Sequence, residues 1–170
     1  MKNFSLIFSF LVITSSFFIS CGPSKDDAIK YNDTLISLQD LIVERDDVFL
    51  NSQGETPEKI KKSHDELLQQ VNSSMEITEK MGAFSDYDDF RKACLDFLEK
   101  YKNVVENEYL GMMSVVSKPD SLISIEDNAF YDSLYDASID KIERAAGELT
   151  KVQEEFAAKY KFNIAKDTLK

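Results

Sequence analysis

Apolar side chains recur along this chain in steps of three and four residues, and that rhythm restricts the fold more than any other feature. One run reads Ile60, His64, Leu67, Val71, Met75 and Thr78, with Leu68 beside it. A second reads Tyr87, Phe90, Cys94, Phe97, Tyr101 and Val104. Such spacing places a single stripe on one face of an α-helix and fits no strand, where faces alternate every second residue. After Val104 the second run slips by one residue and continues as Val105, Tyr109, Met112 and Val116. A one-residue step of this kind locally disturbs the winding of a packed helix.

Helix ends can be read around these stripes. The spacing predicts a first helix over 26–50, with Tyr31, Leu35, Leu38, Ile42 and Phe49 on one face, widened by Leu41 and Val48. Asn51-Ser52-Gln53-Gly54 interrupts it. Thr56 as N-cap and Pro57 at the first helical position start the second helix, which Gly82 closes. Ser85, three residues before Asp88, is read as the cap of the third helix, which Lys118-Pro119 ends. A fourth begins between Ser124 and Asp127 and carries Tyr131, Tyr135, Ile142, Leu149, Val152, Phe156 and Tyr160, with Ala145 and Ala146 admitting a neighbour. With only 5 Gly and 3 Pro, the chain suits long helices with few turns. The expected fold is all-α, an up-down-up-down four-helix bundle over 28–162, followed by a polar tail over 163–170.

The N-terminus has a different character. Lys2 is followed by an apolar run over 4–19, diluted by Ser5, Ser9, Thr14, Ser15 and Ser16. The run is too short and too rich in hydroxyls for a comfortable membrane span, and it has the form of a secretory signal peptide. It ends in Phe18-Ile19-Ser20-Cys21. This tetrapeptide resembles the lipobox of bacterial lipoproteins and departs from it at Phe18. The resemblance implies cleavage of 1–20 and acylation of Cys21, with a membrane as partner through the acyl chains. Residues 21–27 then form a tether. Within it Lys25-Asp26-Asp27 resembles the lysine-plus-acidic tract that directs lipoproteins of Bacteroidota to the cell surface. The combination of signal, acylated cysteine and acidic helical domain resembles helical surface lipoproteins of Bacteroidota and spirochaetes. It implies an envelope location, anchored to the outer membrane on either leaflet.

Charge and chemistry narrow the function. Removing the signal leaves about 150 residues, one domain. A formal charge of −11 opposes phosphate backbones and anionic head groups, so nucleic acid is not expected as a partner and attachment to a membrane falls to lipid. No catalytic, cofactor or metal constellation is assembled by the sequence, and no enzyme is expected. The chain has 1 histidine, His64, which could ligate haem only with Met75, Met81, Met112 or Met113. Its place on the apolar rhythm favours a half-buried, hydrogen-bonded ring. Cys94, on the same rhythm, is expected to be a small buried side chain, with a disulfide-linked dimer as the alternative.

Two acidic rows stand out: Asp33, Asp40, Glu44 and Asp47 on the first helix, and Asp132, Asp136, Asp140 and Glu143 on the fourth. Like charges at this spacing cost a helix about 0.2–0.5 kcal/mol per pair. They serve solubility, or else a divalent cation or basic partner. Asp-Ser/Thr-Leu recurs at Thr34, Ser121, Ser133 and Thr168, resembling the O-glycosylation acceptor motif of Bacteroidota envelope proteins. The first expectation is a non-enzymatic binding or structural protein of the envelope with a protein partner. The alternative is a ligand- or divalent-cation-binding protein that uses a bundle cavity or an acidic face.

Overall fold

The computed structural model describes residues 22–164, and these are all-helical. The stretch read as a signal peptide over 1–20, Cys21 and Thr168 lie outside the described residues.

Helix α1 (Lys25–Asn51) starts at a reciprocal cap. The Ser24 hydroxyl accepts from the Asp27 backbone N–H, and the Asp27 carboxylate accepts from the Ser24 backbone N–H. Lys25, Asp26 and Asp27 therefore belong to the first helical turn, and the stretch read as a tether ends before them. A short 3₁₀ turn (Ser52–Gly54) leads to α2 (Pro57–Met81), where Pro57 opens the helix and Gly82 ends it at φ +70°. Thr56 occupies the cap position without a side-chain bond to the helix.

The third rod begins later than expected. Ser85 stands at φ +57°, inside a tight turn closed by paired backbone bonds between Phe84 and Tyr87. A residue in the left-handed region cannot cap in extended geometry. Helix α3 (Asp89–Val104) instead follows Asp88, whose carboxylate is occupied by Arg91 at 2.6 and 2.8 Å. The rod continues through a π-helical turn (Val105–Tyr109) into α4 (Leu110–Val116). That turn falls where the apolar rhythm slips. One additional residue per turn lets Tyr101 and Val104 before it, Val105 and Tyr109 within it, and Met112 after it all face inward.

A 3₁₀ turn (Asp120–Leu122) precedes α5 (Ile125–Tyr160), which begins at a second reciprocal cap between Ser124 and Asp127. Helix α5 packs mainly on α3, α1 mainly on α2, and α2 on α3. Within α4, Gly111 permits close approach of α5, since a Cβ there would sit 2.6 Å from Leu134 Cδ1.

The core is rich in aromatic rings at one end. Phe156, fully buried, has Tyr31, Phe84, Tyr87, Phe90, Tyr160 and Phe162 within ring-contact distance. Ile164 also packs against the core, so the chain past Phe162 does not leave the surface at once as a polar tail. Three expected core positions are outside: Leu41 and Val48 are exposed on α1, and Tyr135 on α5. Residues 125–137, the first turns of α5, contain no buried side chain.

Candidate functional site: the polar seam and the π turn

Helix α1 carries a second row that an apolar template does not register. Asn32, Gln39, Asp46 and Gln53 recur every seven residues. They lie along the side facing α5 and the third rod. Asn32 is almost fully buried and its Oδ1 accepts from Gln153 Nε2 at 2.9 Å. Gln39 Nε2 reaches the Leu35 carbonyl at 3.5 Å and Cys94 Sγ at 3.9 Å. Gln53 Oε1 accepts from the Tyr131 hydroxyl. Thus Gln53, just beyond one end of α1, meets the start of α5, and Asn32, towards its other end, meets the later part of α5.

Asp46 occupies the middle of the row, level with the π turn. Tyr101 and Tyr109 of the third rod and Ser138 of α5 gather around its carboxylate, with Tyr101 and Tyr109 interacting with Asp46 directly. Burial raises the affinity of Asp46 for its proton, and the two tyrosine hydroxyls only partly oppose this. Burial also pushes both phenols above their usual range. Asp46 Oδ1 is buried with no partner among the described residues.

The π turn receives a further polar contact from α2. His64 Nε2–H donates to the Val105 carbonyl at 2.9 Å, with His64 5% exposed and Val105 0%. The ring also meets Phe49 edge-on, while Phe49 stacks on Tyr109. Within the turn, Glu108 accepts from Lys141 at 2.7 Å. Residues from every rod thus converge here: Asp46, His64, Tyr101, Tyr109 and Ser138. π turns inside α-helices frequently mark functional sites.

The chemistry of this cluster is that of proton holding and polar positioning. Cys94 is 1% exposed, and burial pushes its thiol up to about 12. It is free of any disulfide. Among the described residues, no group of three His, Cys, Asp or Glu side chains can hold a metal ion, and no helix is long and apolar enough to cross a membrane.

The remaining sequence candidates are dispersed. Asp27 is held below its usual range by the Ser24 hydroxyl. Thr34, on α1, donates to the Lys30 carbonyl, and Ser133, exposed on α5, donates to the Phe130 carbonyl. Ser121 is exposed in the 3₁₀ turn before α5. The structure brings none of these together. The polar row of α1 and the tyrosine–Asp46 cluster were not singled out by sequence reasoning; the seven-residue recurrence of Asn, Gln and Asp was the available signal.

No protein-family model matches this chain, and neither a curated protein nor a solved structure matches it.

Proposed function

We propose that this is a lipid-anchored protein of the bacterial cell envelope, with a non-enzymatic binding or structural role, whose helices form an up-down-up-down four-helix bundle. The observation that carries the anchoring is the place of Cys21. It follows Phe18-Ile19-Ser20 and stands three residues before Ser24, the residue that caps α1. Three residues of chain span roughly 10 Å at most. Acylation at Cys21 would therefore hold the bundle end within about one helix diameter of the leaflet. The seam contacts Gln53–Tyr131 and Asn32–Gln153 support the opposite directions of α1 and α5 that the bundle requires.

Metabolic labelling with an alkyne-bearing palmitate tests the anchor. Wild type is expected to take up label and to partition into detergent, and Cys21→Ala to lose both. Unlabelled wild-type protein, or label that survives Cys21→Ala, overturns it. Protease treatment of intact cells then reads the leaflet. Degradation with periplasmic markers intact supports Lys25, Asp26 and Asp27 as a surface-export signal, and protection assigns the domain to the periplasmic side.

A further inference from the structure

We infer that the outer face formed by α1 and α5 is a docking surface for a cationic amphipathic helix of a partner protein. Its geometry follows from the polar seam. Stepping four residues along a helix moves about 40° around it. From Asn32, Gln39 and Asp46, one such step reaches Ile36, Val43 and Leu50. From Tyr131 and Ser138 it reaches Tyr135 and Ile142, and Ile139 lies one step beyond Tyr135. Because Gln53 meets Tyr131 and Asn32 meets Gln153, these two apolar rows lie level with each other on the same side of the seam. Ile36, Leu50 and Ile142 touch the core with part of their surface. Val43 is 55% exposed, Tyr135 38% and Ile139 37%. Ile36 to Leu50 spans about 21 Å, the length of four helical turns.

One further step outward reaches acid on both sides. Asp40 and Asp47 follow Ile36 and Val43, and Glu143 follows Ile139, with Asp132 and Asp136 on the same flank of α5. Among the described residues, none of these five carboxylates is in an ion pair. Several acids on other faces are matched: Asp65, Glu76, Asp88, Asp96 and Glu148 each have a lysine or arginine. Lys141 and Lys159 of α5 turn to Glu108 and Asp86 on the other side, and Arg144 lines the groove between α3 and α5. The face is therefore an apolar strip between two unneutralised acidic rails.

The charge chooses the occupant. A second copy would bring the same carboxylates against these, and an anionic bilayer is repelled for the same reason. A helix with an apolar stripe bordered by Lys or Arg satisfies both features, with anchors spaced at three and four residues. This deepens the binding half of the function proposed above and rests on it. Acyl labelling reads anchoring alone, so the two readings fail separately.

The test uses the full chain in zwitterionic nanodiscs and a fluorescent Leu/Lys amphipathic peptide of about 18 residues, with a Leu/Glu peptide of the same pattern as control. Anisotropy above that of empty discs is expected for the Leu/Lys peptide only, weakening as salt is raised. Val43→Lys with Ile139→Lys is expected to weaken binding at least tenfold. Asp40→Asn, Asp47→Asn, Asp136→Asn and Glu143→Gln combined, which leave the apolar strip intact, are expected to do the same. Glu58→Gln with Glu79→Gln on α2 should leave it unchanged. Circular dichroism checks that each variant is folded. No binding above empty discs, equal binding of the Leu/Glu peptide, or unchanged affinity in both sets of face variants overturns the proposal.

Discussion

His64→Leu isolates the contact that steadies the π turn. Leucine approximates the imidazole in volume and keeps apolar contact with Phe49, so the cavity component is small. What it removes is the donor to the Val105 carbonyl, in a residue that water does not reach. A buried acceptor left without its partner costs about 1–3 kcal/mol. With a urea slope of roughly 2 kcal/mol per molar for a domain of this size, the unfolding midpoint should fall by about 0.5–1.5 M. The assay is equilibrium urea unfolding followed by circular dichroism. His64→Gln retains a side-chain donor and is expected to recover part of the loss. A His64→Leu midpoint equal to or above wild type at unchanged slope refutes the argument, because Val105 would then be satisfied without His64.

Three other outcomes follow from the same packing. Phe156→Ala empties the centre of the aromatic cluster and should cost about 3–5 kcal/mol, lowering Tm by roughly 2–4 °C for each, as read by thermal unfolding. Asp46 has a folded-state carboxyl value raised by burial, so the native state holds its proton more tightly than the unfolded chain. Its contribution is complete at low pH and is lost as pH rises through the folded value. Asp46→Asn should therefore gain stability relative to wild type as pH rises above the ordinary carboxylate value of 3.8, in paired urea titrations. A thiol reagent at neutral pH should leave Cys94 unmodified in the folded chain and react with it fully in denaturant, since the thiol is both buried and pushed up to about 12.

Much of the helical organisation is written in local chemistry. Pro57, Gly82, Pro119 and Ser124 punctuate the chain where the helices begin and end, because each acts through its own backbone geometry. The slip between Val104 and Val105 marks the π turn, since an inserted residue leaves the apolar rhythm intact on either side. Other features depend on neighbours. Ser85 and Asp88 have the composition of a cap, but Arg91 takes the Asp88 carboxylate and the Phe84–Tyr87 turn rotates Ser85 away. Leu41, Val48 and Tyr135 fit an apolar stripe and are nonetheless exposed, because helical spacing does not say how wide a face its neighbours cover. The Asn32, Gln39, Asp46 and Gln53 row escapes a hydrophobic template altogether. Its burial becomes visible only once Gln153, Tyr101, Tyr109 and Tyr131 are in place to bond it.

The unburied first turns of α5 have a dynamic consequence. Residues 125–137 are held at one end by the Ser124 cap and by Lys118, which contacts Asp127 at 2.6 Å, within the span by the Tyr131–Gln53 bond, and at the other end by Ser138. Tyr131 and Leu134 are the side chains of that span packed on the core, neither of them fully buried, so its opening free energy lies below that of the whole domain. Amide hydrogens there should exchange with solvent long before those around Phe156. A protease probing the native fold should cut first near Phe130, releasing α5 from its leading end while the aromatic cluster still holds its other end.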